Sequence, residues 1–132
     1  MFVDASAIVA ILTREPDSRD LADLLEAAAH PITSPIAVFE AVLAIRRILR
    51  LSPEVAAAVV ENFLAMTGTS CVAISPAVTA LALDAHARYG KGQGHPAQLN
   101  MGDCFAYAAA RYHGTTLLYK GNDFRQTDIR SA

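Results

Sequence analysis

The sequence predicts an α/β fold built on a short-stranded, mostly parallel sheet. Short apolar runs alternate along the chain with longer amphipathic stretches, which is the pattern of βαβ units. Several of the longer stretches begin at a proline, a residue that favours the first turn of a helix. A chain of 132 residues is long enough for a substantial core, so we expect residues 1–132 to form one domain.

In the first third of the chain, Phe2–Val3 is apolar and predicts a short buried strand. Ala7–Leu12 is apolar and of helical length, and Ser18–Ala29 carries its leucines at helical spacing. Ile32–Ser34 is predicted as a second, very short strand, after which Pro35 opens another helix.

Further along, Pro53 precedes a helix over Glu54–Met66, and together with the preceding helix it predicts an αα-hairpin. The alternating run Ser70–Ser75 is a third strand candidate. The remaining elements are a helix from Pro76 to Tyr89, a long loop over Gly90–Asn100, a helix from Gly102 to Tyr112 and a last strand at Thr115–Tyr119.

Composition narrows the classes of function. A net charge of −2 argues against a protein held to DNA mainly by counterion release, but it is compatible with an enzyme that contacts RNA in one cleft. No apolar run approaches the ~18 residues of a membrane span, and the start lacks the basic region of a signal peptide. We therefore expect a soluble cytoplasmic protein with no membrane partner, in which Cys71 and Cys104 are buried, reduced thiols.

Glu40 is the first acidic residue whose position is unusual. It falls within the stripe formed by Ile36, Phe39, Leu43 and Arg47, which helical spacing predicts as the inward face. An ionised carboxylate there would cost several kcal/mol if it were left unpaired. It therefore needs a cation, a metal or a wet cleft; the alternative is a surface pair with Arg47 or a place on the rim.

Three aspartates share this expected location. Asp4 and Asp123 each follow a predicted strand, so in a parallel sheet they fall on the same edge, where ligands of such sheets bind. Asp103 starts a helix and can reach that edge, although an N-cap role would also explain it. Converging carboxylates repel one another unless a cation lies between them. Because no His or Cys ligands accompany them, Mg²⁺ or Mn²⁺ suits the cluster better than Zn²⁺.

These residues resemble a known family. The motifs V-D-A-S around Asp4, G-D-C-F-A-Y-A at Gly102–Ala108 and L-L-Y-K-G-N-D-F-R-Q-T-D-I at Leu117–Ile129, with Glu40 after a short strand, are similar to a PIN domain of the VapC toxin type. The resemblance spans nearly the whole chain. It implies a three-layer α/β/α fold, Mg²⁺-dependent endoribonuclease activity, a homodimer and neutralisation by a cognate VapB-like antitoxin.

The resemblance also implies roles for individual residues. Asp4, Glu40 and Asp103 match the acids of the family, with Asp4 and Asp103 expected as direct metal ligands, and Ser6 matches a hydroxyl near the first acid. Asp123 would complete the catalytic group at its rim, with Asn122 beside it as a supporting residue. Candidates for holding the RNA backbone are the basic residues Arg14, Arg46, Arg47 and Lys91.

One position departs from the family pattern. Many relatives have a second acid before the Asp-Phe pair, where this chain has Asn122, so the fourth ligand is either Asp123 or missing, which leaves open whether one or two ions bind. This departure motivates an alternative function, a catalytically weak PIN-fold interaction module. A phosphoryl-accepting receiver-like domain is disfavoured because neither middle strand ends in an acceptor aspartate.

Overall fold

The computed structural model describes all residues from 1 to 132, which form a sheet of four two-residue strands and six α-helices. The strands are β1 (Phe2–Val3), β2 (Ile32–Thr33), β3 (Ser70–Cys71) and β4 (Leu117–Leu118). The helices are α1 (Ala5–Leu12), α2 (Ser18–Glu26), α3 (Pro35–Leu49), α4 (Pro53–Met66), α5 (Pro76–Tyr89) and α6 (Met101–Tyr112), and a 3₁₀ helix covers Asp123–Gln126. Every predicted element is present, but β3 and β4 are shorter than expected.

The sheet has the strand order β3-β2-β1-β4, and every pairing is parallel. In register, Phe2 of β1 lies opposite Ile32 on one side and Leu117 on the other. The C-terminal segment continues the sheet beyond β4 through a parallel bridge between Leu117 and Ser131. The mostly parallel α/β class predicted from the sequence is therefore confirmed.

The strand order explains the three layers. The chain moves in one direction from β1 to β2 to β3 and then returns across the sheet to β4. Because parallel crossovers are right-handed, the connections through α1–α4 cover one face and the return through α5 and α6 covers the other. The order reverses between β1 and β4, and in open α/β sheets the crevice at such a point, beyond the carboxyl ends of the strands, is where ligands bind.

Three helices start as the sequence suggests. Ser34, Ser52 and Ser75 are the N-caps of α3, α4 and α5, and each accepts a hydrogen bond from the third backbone N–H of its helix, with proline next in the chain. None of the helices has both the length and the apolar character that crossing a membrane requires.

The buried face of α3 differs from the predicted one. Ala37, Ala41 and Ile45 are at most 2% exposed, whereas Phe39 is 63% and Leu43 46% exposed. The small alanines let α3 approach α1 closely, so the large apolar residues of the expected stripe turn outward. The expectation for Cys71 is also wrong: this thiol is exposed because β3 is the edge strand, while Cys104 is buried.

Candidate active site

A cavity of about 420 Å³ lies at the carboxyl end of the sheet, between β1 and β4. Five carboxylates line it, together with two cations, two other polar side chains and four apolar residues. The acids are Asp4, Glu15, Glu40, Asp103 and Asp123, and the cations are Arg47 and Lys120. Four of these five acids are the ones singled out in the sequence, so residues far apart in the chain meet in one cavity.

Asp4 is the most deeply placed acid, with only 4% of its surface exposed. It follows β1 directly and caps α1, because its Oδ2 accepts hydrogen bonds from the backbone N–H of Ser6, at 3.0 Å, and from the Ser6 hydroxyl. The Ser6 oxygen in turn accepts the backbone N–H of Lys120 at 3.0 Å. Burial raises the pKa of Asp4, and the bonds from Ser6 oppose that rise. Ser6 thus fixes Asp4 to the end of β4 through one hydroxyl.

Glu40 reaches the cavity from α3, where it shares a face with Ala44, Arg47 and Ile48. It takes part in none of the ion pairs of the chain, so the predicted alternative of a surface pair with Arg47 is not formed. Burial, with the charges of Asp4 and Asp103 adding to it, raises the pKa of Glu40 to about 7. Near neutral pH this carboxyl is therefore poised between its two protonation states.

Asp103 lies in the first turn of α6, but it is not the N-cap that the sequence allowed for: Asn100 is the N-cap, and Asp103 is the third residue of the helix. It forms a capping box with Asn100: its Oδ2 accepts the Asn100 N–H at 2.8 Å, and Asn100 Oδ1 accepts the Asp103 N–H at 2.9 Å. The same carboxylate lines the cavity. Burial is the main reason that its pKa rises to about 6, with the charges of Asp4 and Asp123 contributing.

Asp123 opens the 3₁₀ helix and is exposed at the rim of the cavity. Asn122, which was expected to support it, does not line the cavity. Among the four basic candidates, Arg47 lines the cavity whereas Arg14 and Arg46 do not. Lys91 lies instead along a separate apolar groove between α5 and α6.

Three polar residues of the cavity were not predicted from the sequence: Glu15, Asn100 and Lys120. Asn100 had a local signal, because Asn followed three residues later by an acid is typical of a helix start. Glu15 and Lys120 are 105 positions apart, and their side chains form an ion pair. No local pattern could have revealed that pair.

The donor set fits a hard divalent cation. All candidate ligands are carboxylate oxygens, and the hydrogen bonds of Asp4 and Asp103 use Oδ2 in both residues and not Oδ1. No group of three or more His, Cys, Asp or Glu side chains is close enough together to hold an ion. Asp4 and Asp103 therefore stay predicted ligands, and two carboxylates are a set with which Mg²⁺ can bind when it retains several waters.

A hydrogen-bond network of side chains from α5 and α6 holds Asp128, in the segment that follows the 3₁₀ helix of Asp123. Asp128 accepts a hydrogen bond from the Tyr107 hydroxyl at 2.6 Å and an ion-paired bond from Arg88 at 3.2 Å. These bonds lower the pKa of Asp128 to about 2, with the Tyr107 bond first in importance. Tyr107 follows Asp103 by one helical turn. Helix α6 therefore carries one acid of the cavity and also a hydrogen-bond donor to Asp128.

Comparison with known proteins gives a consistent result. The model of the PIN domain family matches residues 1–130. A VapC ribonuclease of Rhizobium meliloti (strain 1021) is 46% identical over 97% of this chain and 98% of its own length. Ribonuclease VapC42 of Mycobacterium tuberculosis (strain ATCC 25618 / H37Rv) is 38% identical over 100% of this chain and 98% of its own.

Among solved structures, the fold is similar to that of VapC20 of Mycobacterium tuberculosis, described as a sarcin-ricin loop cleaving toxin. The TM-score is 0.76, and the alignment covers 99% of this chain and 97% of that one at 15% sequence identity. At this identity the likeness concerns the fold alone.

Proposed function

We propose that this chain, which belongs to the PIN-domain family and within it to the VapC ribonucleases, is an endoribonuclease toxin that cleaves cellular RNA with a divalent cation. The observation that carries the proposal is the single cavity that Asp4, Glu40, Asp103 and Asp123 share at the reversal point of a parallel sheet. Such a cluster is costly for stability, and function explains its presence better than packing does.

In this proposal Asp4 and Asp103 hold the ion, with Mg²⁺ expected and Mn²⁺ as a possible substitute. A bound ion of this kind makes a water molecule more acidic and offsets the charge of a phosphodiester in an in-line displacement. Ser6 holds Asp4 in place by its two hydrogen bonds to Oδ2. A second ion would have Asp123 as its ligand from this segment, because the neighbouring Asn122 is neutral.

Glu40 is the candidate for the residue that acts on the attacking water, because it shares the cavity with Asp4 and Asp103. A base works best when its pKa lies close to the working pH, and burial near two other carboxylates raises that of Glu40 to about 7. Glu40 would therefore accept a proton from the attacking water or orient that water. On the substrate side, Arg47 is the strongest of the four predicted RNA contacts because it alone lines the cavity; Arg14, Arg46 and Lys91 would act only on more distant parts of an RNA.

The family also suggests partners for this chain. Relatives named VapC ribonuclease support an RNA substrate, and we propose a cognate VapB-like antitoxin as the neutralising partner and the cytoplasm as the location. A homodimer is supported by the large apolar side chains that remain exposed, among them Phe39, Leu43, Leu83 and Met101. Light scattering on the purified chain would test the dimer directly.

The test of the catalytic proposal is cleavage of total cellular RNA by the purified chain. We expect cleavage with Mg²⁺, none with EDTA, and a loss of at least about 100-fold in Asp4→Asn and in Asp103→Asn. Asp23→Asn, which removes an exposed acid of α2 outside the cavity, is the matched control and should retain full activity. Cleavage that survives both EDTA and Asp4→Asn would exclude this mechanism.

The alternative function, a catalytically weak PIN-fold interaction module, is favoured by one observation. Asn122 is neutral where the family resemblance implies an acid, and it lies outside the cavity. This alternative predicts that the chain binds a VapB-like partner while showing no cleavage with Mg²⁺ or Mn²⁺. Asn122→Asp would then produce activity where the unaltered chain has none.

A further inference from the structure

Lys120 is one of only two cations that line the cavity, and its ammonium group forms no ion pair with the four candidate catalytic acids. Its ammonium group forms ion pairs with Glu15 and with Asp17, the latter at 3.0 Å. Both acids belong to the short connection between α1 and α2. Two carboxylates thus hold one ammonium group at the edge of the candidate active site.

The backbone of Lys120 is fixed close to the deepest acid. Its N–H donates to the Ser6 hydroxyl oxygen at 3.0 Å, and that hydroxyl donates to Asp4. The side chain beyond this fixed point is a flexible four-carbon stem. Its ammonium group can therefore exchange partners while the backbone next to Asp4 stays in place.

The ion pairs of Lys120 are partly open to solvent. The side chains of Lys120, Glu15 and Asp17 are 30%, 35% and 46% exposed, so solvent screens their attraction. In contrast, a phosphodiester entering the cavity meets five carboxylates and needs a positive charge nearby. An exchange from a screened carboxylate to a substrate phosphate would cost little and would offset that repulsion.

We propose that Lys120 is a phosphate-binding residue of the substrate site and that Glu15 and Asp17 hold its ammonium group until RNA displaces them. This inference rests on the proposed function, since it concerns the RNA of that same cavity. Glu15 and Asp17 then weaken RNA binding by competing with phosphate for Lys120. Alternatively, the three side chains have only a structural role and tie the α1–α2 connection to β4. In that case, loss of Glu15 would leave the affinity for RNA unchanged.

The experiment measures binding of a short, fluorescently labelled single-stranded RNA by anisotropy, in Ca²⁺ and over a series of KCl concentrations. We expect Lys120→Gln to weaken binding about fivefold and to reduce the slope of log K against log salt by about 0.7, the loss of one phosphate contact on a single strand. Glu15→Gln should tighten binding about threefold. In the double variant, Glu15→Gln should have no effect, because the cation that it releases is gone.

Two exposed residues outside the cavity provide matched controls. Arg19→Gln removes one positive charge and Glu26→Gln one negative charge, both on α2, and each should change affinity less than its counterpart in the trio. If Lys120→Gln prevents folding, the RNA affinity of Glu15→Gln alone tests the inference. A lower melting temperature with unchanged RNA affinity would overturn the inference.

Different results would overturn the role of Lys120 and the proposed ribonuclease function. RNA binding by the unaltered chain that is the same in Lys120→Gln and Glu15→Gln would overturn the role of Lys120 and leave the proposed function standing. Weaker binding in Lys120→Gln with no gain in Glu15→Gln would overturn the holding role of the two acids. No RNA binding by the unaltered chain would overturn the proposed function itself.

Discussion

The carboxylate of Glu40 lies directly against the backbone of Gly102, so close that a Cβ at position 102 would overlap both of its Oε atoms. Gly102 is the second residue of α6 and immediately precedes Asp103. The missing side chain is what lets an acid from α3 share a cavity with an acid from α6. This contact joins the two helical layers at the candidate site.

Gly102→Ala should reduce RNA cleavage by about 10- to 100-fold while changing stability by less than about 1 kcal/mol. The new methyl group displaces the end of a flexible side chain, and alanine gains about 0.5–1 kcal/mol of helix preference over glycine, so folding tolerates the change. Activity falls because Glu40 is moved. Cleavage assays would measure the loss of activity, and urea denaturation of the same preparation would measure the free energy of unfolding.

Gly90→Ala is the contrasting control. There the added Cβ would overlap the backbone oxygen of His86, which cannot swing away, so we expect a loss of about 1–3 kcal/mol in stability. Equal loss of stability in Gly102→Ala would show that position 102 has a packing role, not a role in placing Glu40.

Between about pH 4.5 and 7, the metal-free chain should lose stability as the pH rises. The pKa of Glu40 is about 7 in the folded chain against an ordinary value of 4.5, so the folded state binds more protons than the unfolded state in this range. The stabilisation is complete below the lower value and is lost as the pH passes the higher one. Asp103, with its pKa at about 6, adds to the same trend.

Glu40→Gln should remove much of this dependence and make the metal-free chain more stable than the unaltered one at pH 8, by on the order of 1 kcal/mol after allowance for solvent screening. Thermal unfolding of both chains in EDTA at a series of pH values measures this pH dependence of stability. Glu61→Gln, on an exposed part of α4, should leave the pH profile unchanged. A Glu40→Gln profile parallel to that of the unaltered chain would contradict the assigned pKa.

Tyr107→Phe should destabilise the chain by about 1–2 kcal/mol at pH 7, because the buried hydroxyl donates a charge-assisted hydrogen bond to Asp128. The bond lowers the pKa of Asp128, so its stabilisation is present above the ordinary value of 3.8 and is lost as the pH falls through about 2. The difference between the two chains should therefore close toward pH 2 in acid-unfolding curves. Tyr112→Phe, at an exposed tyrosine, should have no effect at any pH.

Much of the fold could be predicted from local chemistry. The apolar pair Phe2–Val3 followed by Asp4 marks a strand end, and the serine–proline pairs mark helix starts, because these signals lie within a few neighbouring residues. The alternation of elements then requires parallel strands, and strand direction places Asp4 and Asp123 at one edge.

What failed depended on contacts between distant segments. Helical spacing identified a stripe of large apolar residues on α3, but close packing of alanines decided which face is buried, so Phe39 and Leu43 are exposed. The role of Gly102 could not be foreseen because it is defined by Glu40 on another helix. Likewise, the motif that contains Lys120 does not reveal its ion pairs, because the acidic partners Glu15 and Asp17 lie more than a hundred residues earlier.

We expect Asp4 and Asp103 together to bind the divalent cation that cleavage requires. Isothermal titration of the purified chain with Mg²⁺ at pH 7.5 tests it most directly, with Asp4→Asn, Asp103→Asn and the exposed Asp23→Asn in parallel. The account predicts saturable binding by the unaltered chain and by Asp23→Asn, and none by the other two variants. Equal Mg²⁺ binding in all four, or none in the unaltered chain, would contradict it.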